Sequence, residues 1–335
     1  MNIFFFVSLV SVLIYVVNRY FHSYWSRRDV FSLEPKFLIG NLGSMLTFKK
    51  SAGDFLQEIY IKYKHHKFLG AYFFYQPTLI INDPELIQDI MIRNFTSFID
   101  RPMPDEAAKD YPLVGHLFNV RGQKWRDLRV KLSPTFTSGK IKAMFPIIND
   151  CADVLHKYVE KNIESGNEIF EFRDLFARLT TNIISNIAFG IENDCINDQE
   201  NIFRTMGMKL FEPNLRNGLV GFLSFFAPDL FVKIKMDPFG KDVSDFMFSM
   251  VKQTIDYREK NKIERNDFMQ LLMKLKDEGY VPVDKADKEE ANSYGHDENA
   301  AKTKIDMNDL TANVFLFFVA GKNFIHSIAM KIFNI

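Results

Sequence analysis

Gly122-Gln123-Lys124-Trp125-Arg126-Asp127-Leu128-Arg129, followed closely by Ser133-Pro134-Thr135-Phe136-Thr137, is the stretch on which the reading of this chain turns. Trp125 and Arg129 are four residues apart and share one helical face, where an indole N–H and a guanidinium can hold a carboxylate together. Such a pair suits an anionic cofactor. Arg121, Lys124, Arg126 and Lys131 surround it, and by spacing alone a solvated basic helix is the simpler reading.

Working outward, the 335 residues are long enough for two average domains or one large one with a sizeable core. Lysine plus arginine equals aspartate plus glutamate at 42 each, so the net charge speaks against a nucleic-acid partner. The 35 phenylalanines suit a helical core, an apolar pocket or a surface against lipid. Cys151 and Cys195 are isolated, with no metal-ligand or disulfide spacing, and read as reduced thiols.

Residues 3–17 are apolar except for Ser8 and Ser11. As a helix they span about 22 Å, which Tyr20 and Phe21 extend toward the roughly 30 Å of a bilayer core. Arg19, Arg27 and Arg28 follow the apolar run and no small-residue cleavage site appears, so residues 1–21 read as an uncleaved transmembrane signal anchor. The positive-inside rule places the remainder in the cytosol, with Tyr20, Tyr24 and Trp25 at headgroup level. Asn94-Phe95-Thr96 is a glycosylation sequon that a cytosolic domain leaves unmodified.

Residues 22–43, with Pro35, Gly40 and Gly43, read as a linker, and the domain occupies 44–335. Two β-rich runs, 68–75 and 78–81, are separated by Gln76-Pro77, a hairpin signal. A helix is expected at 54–64 and another from Asp83-Pro84 to about Arg93; 141–163, 172–189, 202–211, 243–263 and 268–276 then show helical spacing. The fold class expected is mainly α with a small amino-terminal β-sheet. Residues 277–305 are polar, without apolar period, and are expected to form a mobile loop. Asp306 and Asp309 open the next helix, apolar over 310–320. The apolar run at residues 222–228 is too short to span a bilayer; it suits a dip into the lipid surface or inward packing.

The Gly-x-x-Trp-x-x-x-Arg pattern with Ser133-Pro134-Thr135-Phe136-Thr137 resembles the C helix of microsomal cytochromes P-450, and within them the insect detoxification clade. Phe95-Thr96-Ser97-Phe98, His116-Leu117-Phe118 and the helix order A to I extend the resemblance from the anchor to about Gly321. The resemblance implies an incomplete P-450 fold behind its anchor, in the endoplasmic reticulum membrane. It implies haem as cofactor, with Trp125 and Arg129 on the propionates and Ala320-Gly321 beside the oxygen site. The family oxidises apolar small molecules with O₂ and electrons from an NADPH-cytochrome reductase. His116, Leu117 and Phe118 then belong to the substrate-lining B to C loop (residues 101–120), with Phe118 toward the haem, although ordinary core explains that ring as well. Arg121, Lys124, Arg126 and Lys131 resemble the face that meets the acidic reductase, and the run at 222–228 resembles a lipid contact near the substrate entrance.

After Gly321 the pattern departs. Lys322, Asn323 and Phe324 stand where the family has a variable residue, an acid and an alcohol, so the proton relay to oxygen is replaced by an amide and a ring. No Glu-x-x-Arg pair and no Phe-x-x-Gly-x-Arg-x-Cys motif occurs before Ile335. The expectation is a chain that lacks the thiolate ligand, does not retain haem and is inactive alone. Phe315, Phe317 and Phe318 are expected to lose their carboxy-terminal packing partners, to be left exposed and so to leave the soluble part marginal. The alternative is a shortened, non-catalytic, membrane-bound binding or interaction protein.

Overall fold

The computed structural model describes residues 3–167, 169–283, 289 and 304–332, with side chains as far as Gly321. The chain divides into two compact units, Met1–Ile99 with Phe222–Ala227, and Asp100–Gly221 with Pro228–Ile335.

The first unit begins with α1 (Ile3–His22), which buries no residue and is long and apolar enough to cross a membrane. Helix α2 (Ala52–Tyr63) starts at a capping box in which Ser51 accepts from the Asp54 N–H and the Asp54 carboxylate accepts from the Ser51 N–H. Its Phe55 and Ile59, one turn apart, meet Leu42, Met45 and Leu69 in a small core. Strands β1 (Phe68–Phe73) and β2 (Gln76–Ile81) form an antiparallel pair in the register Phe68↔Ile81 to Phe73↔Gln76.

That register moves the turn from the expected Gln76-Pro77 to Phe74-Tyr75. Pro77 lies instead within β2, opposite Tyr72. In a two-stranded sheet β2 is an edge, which tolerates the missing proline N–H. Phe74 turns the chain in the left-handed region at φ 54°. The stretch expected as a linker is pinned to this sheet: Ser32 bridges Gly70 and Gly40 bridges Phe73. Gly40, at φ 59°, passes so close to the Tyr72 and Phe74 carbonyls that a Cβ would stand 2.3 Å and 2.7 Å from their oxygens. Trp25, expected at headgroup level, is buried over Gly70, and its Nε1 donates to the Ala71 carbonyl at 3.0 Å.

The second unit is helical. Helix α3 (Gly122–Leu132) leads through a 3-10 turn to α4 (Ser138–Glu164), and α5 (Phe172–Ile184) continues as a π turn, Ser185–Phe189. Helix α6 (Ile202–Phe211) has the expected bounds. Helix α7 (Leu215–Phe226) was not expected beyond its apolar end, because Gly218 and Gly221 lower helix propensity there. Its last turn belongs to the first unit and packs inward: Phe222 and Phe226 join the core with Phe73 and Phe74, while Phe225 stays exposed. Helices α8 (Lys241–Asn261), α9 (Phe268–Asp277) and α10 (Met307–Ile332) complete the unit. The expected mobile loop at 277–305 lies largely outside the described residues.

Helix α10 opens where expected, with the Asp306 carboxylate accepting from the Asp309 N–H at 2.7 Å. The expectation that Phe315, Phe317 and Phe318 are left exposed is not met. Phe318 is wholly buried against Phe189 and Phe203, Phe315 packs on Phe239, and Phe317 on Phe136 and Phe268. Burial of each such ring stabilises by roughly 1.5–3 kcal/mol. The partners come from α6, α9 and the turns beside α3, α5 and α8, all amino-terminal to α10, so the unit builds this core from residues that precede the helix.

Candidate functional site

The candidate site lies in the second unit, where α3 meets the start of α10. Arg121 precedes the first residue of α3 in extended backbone. The Gly122 N–H, an orphan donor of the first turn, reaches the Asp100 carboxylate at 2.8 Å. Gly122 itself stands at φ 54°, a conformation that favours glycine at this entry. Leu128 and Leu132 are the buried side of α3, and Trp125 packs against the same core from a half-buried position. Arg129, one turn after Trp125, is exposed.

The basic residues of α3 are not equivalent. Lys124 is held by Asp309 of α10 at 2.8 Å, and the Arg121 Nε donates to the Arg101 carbonyl at 2.8 Å. Lys124 therefore ties α3 to α10 as well as presenting charge. Arg126, Arg129 and Lys131 have no side-chain hydrogen-bond or ion-pair partner among the described residues. A cation left without an internal anion, beside an indole, can receive an anionic ligand, and a solvated basic face presents the same arrangement.

The three residues expected to line a substrate pocket fall in different environments. The Leu117 N–H donates to the Asn313 carboxamide oxygen at 3.1 Å, and the Asn313 amide in turn donates to the Asp309 carbonyl at 2.7 Å. This locks the loop onto α10 beside the Lys124–Asp309 pair. Phe118 is 54% exposed, with the Arg101 guanidinium 4.3 Å from its ring centre, so it is not core. His116 is buried near Phe315 and Phe118, and its Nδ1 has no partner. The Thr311 hydroxyl on α10 is buried and unpartnered too. Asn313 and Thr311 escaped the sequence reading although they were visible as the polar interruptions of an apolar helix.

Burial holds His116 neutral, with its pKa pushed down to about 4 from the ordinary 6.5. Above 6.5 both folded and unfolded states carry a neutral ring, and stability is at its full value. As the pH falls from 6.5 toward 4, the unfolded chain takes up a proton that the folded one refuses. Stability then falls, by about 3 kcal/mol in all. Urea midpoints measured across this range should show the loss, and His116→Leu should remove most of it.

Ala320 and Gly321 lie well along α10. A Cβ on Gly321 would come within 2.9 Å of the Ile184 side chain, so the glycine permits close approach of α10 to α5. The next three side chains, Lys322, Asn323 and Phe324, lie outside the described residues, although the helix continues to Ile332.

The residues present accommodate a haem on one side only. Trp125 with Arg129 offers the donors a propionate requires. Neither cysteine offers a thiolate: burial pushes Cys151 up to about 11 and Cys195 up to about 12, and both remain protonated. Among the described residues no cluster of histidine, cysteine or carboxylate could hold a metal ion.

The cytochrome P450 family model matches residues 32–323. The chain is 36% identical to cytochrome P450 6a2 of Drosophila melanogaster over 94% of its own length and 60% of that relative's. It is 35% identical to cytochrome P450 6A1 of Musca domestica (93% and 58%) and 34% identical to cytochrome P450 6k1 of Blattella germanica (93% and 58%). It thus spans about 60% of the length of the curated relatives it matches.

Proposed function

The chain belongs to the cytochrome P450 family, and from that premise we propose that it is the membrane-anchored amino-terminal portion of a microsomal haem monooxygenase of the insect detoxification type. The substrates are apolar small molecules. The observation that carries this reading is the Trp125–Arg129 face of α3, where Trp125 is seated on the core and Arg129 is left unpaired among the described residues. Haem, when bound through a thiolate, supplies the activation of O₂. Of this chain's residues, Trp125 and Arg129 would hold its propionates, Ala320 and Gly321 would leave room beside it, and Phe118, Leu117 and His116 would contribute to one wall of the substrate pocket.

The cations Arg126 and Lys131, with Lys124 and Arg121 at the edge, supply the charge that draws an acidic reductase. The arginines that follow α1 favour a domain on the cytosolic side of the endoplasmic reticulum. By itself the chain is non-catalytic in this reading. Both of its cysteines are buried thiols, and Asn323 and Phe324 stand in the places of the acid and the alcohol.

A reduced carbon-monoxide difference spectrum of the chain, expressed with haem supplied, tests this. The expected result is no thiolate-type Soret band. Its appearance would show that a cysteine of this chain ligates iron and would overturn the non-catalytic reading.

A further inference from the structure

A cavity of about 620 Å³ opens in the second unit between the first turns of α5 and the last turns of α6, a size usual for small-molecule sites. Most of the charge around it is spent within the protein. The Glu171 carboxylate accepts from the Arg173 and Asp174 N–H groups and so caps α5. The Asp174 carboxylate is held by two guanidiniums, Arg178 of its own helix and Arg204 of α6. Lys209 of α6 is paired with Asp242 of α8, and Glu212 accepts from the Asn214 amide at 3.5 Å.

Two polar groups of the lining are not spent. The Arg173 guanidinium and the Thr205 hydroxyl have no hydrogen-bond or ion-pair partner among the described residues. The rest of the wall is apolar. Helix α6 buries Phe203 and Gly207, and its Met208 and Phe211 line the cavity while remaining 45% and 41% exposed. Three residues apart, these two side chains are neighbours on the helix surface, and Ala177 and Pro213 extend the wall they make. A guanidinium pairs with a carboxylate through two parallel hydrogen bonds, and a thioether adapts to irregular hydrocarbon. One open cation beside an apolar wall therefore fits a ligand that is anionic at one end and aliphatic beyond it.

We propose that this cavity binds an amphipathic carboxylate of the fatty-acid class, with its head on Arg173 and Thr205 and its chain along Met208 and Phe211. Occupancy braces α6 against α5, and α6 carries Phe203, whose ring meets Phe318 of α10. The site does not depend on the haem reading, since none of its residues lies on α3, α10 or the loop at 101–120.

The full chain in phosphatidylcholine nanodiscs is irradiated with decanoic acid carrying an aliphatic diazirine, and the labelled peptides are mapped by mass spectrometry. Label is expected within residues 171–177 and 204–213, and unlabelled decanoate should compete for it. Arg173→Ala should weaken that competition about ten-fold, the equivalent of one charge-assisted pair, with Arg173→Lys in between. Met208→Gln should weaken it several-fold. Arg173 and Met208 are both exposed, so neither variant puts folding at stake. The methyl ester of the probe should label these segments far less than the acid.

Equal labelling by the ester, or an unchanged Arg173→Ala, would mean apolar adsorption only and overturns the carboxylate site. Label confined to residues 3–22 would mean partition into the bilayer, and label confined to 113–118 the substrate wall. Either result, or no label at all, overturns the cavity site and leaves the proposed function untouched.

Discussion

Asp267→Ala should cost the second unit about 3–5 kcal/mol, read as a fall in the urea midpoint. The Asp267 carboxylate is fully buried, and its partner, the Arg258 side chain, is 2% exposed. Arg258 reaches both carboxylate oxygens, one at 3.0 Å, and also the Gln270 side chain at 3.1 Å. The same carboxylate accepts from the Gln270 N–H at 2.9 Å and so caps α9. Truncating Asp267 leaves a desolvated guanidinium and removes the cap, whose loss alone is worth about 1 kcal/mol. Against a typical stability of about 5–15 kcal/mol, the change is large.

The double variant Arg258→Met with Asp267→Asn removes both charges and keeps a capping side chain, so it should recover most of the loss. A single-variant cost under about 1 kcal/mol would mean that the pair is solvated and that the junction is not what holds α8 to α9. Gly190 belongs to the same junction. It turns the chain at φ 66°, and a Cβ there would stand 1.9 Å from the Arg258 guanidinium. The close approach, as much as the backbone angle, excludes a side chain.

Trp25→Ala should cost the first unit about 3–5 kcal/mol, the usual range for deleting a large buried aromatic. Trp25 is buried over Gly70, where a Cβ would meet its ring at 2.4 Å. It donates from Nε1 to the Ala71 carbonyl and from its backbone N–H to the Tyr72 hydroxyl, each at 3.0 Å. Because these bonds fasten the chain after α1 to β1, the loss should appear as protease cleavage within residues 26–43 while the second unit stays resistant. Trp25→Phe, which keeps a ring and loses the indole N–H, should cost less. Unchanged protection in Trp25→Ala would show that the Ser32 and Gly40 bridges hold this segment without the indole.

The candidate site was partly legible from residue spacing. The four-residue interval between Trp125 and Arg129 placed them on one face, and α3 carries them so. Spacing could not distinguish Arg129, left without an anion among the described residues, from Lys124, which is paired with Asp309. That pair joins residues far apart in the chain, and no local pattern encodes it. The same holds for Leu117 and Asn313, and for the unpartnered nitrogen of His116, whose burial is set by α10.

What the sequence by itself determined is therefore local: the apolar length of α1, the bounds of α6, the Asp306 cap, the existence of a hairpin and the family motif on α3. Each depends on residues within a few turns of one another, where helical or strand periodicity and side-chain capping act. Tertiary structure alone decided where the hairpin turns, that Trp25 is buried against β1, and that Phe315, Phe317 and Phe318 find partners among earlier helices. Those outcomes depend on which distant surface arrives to bury a side chain, and burial energy is set by that neighbour rather than by the residue's own spacing.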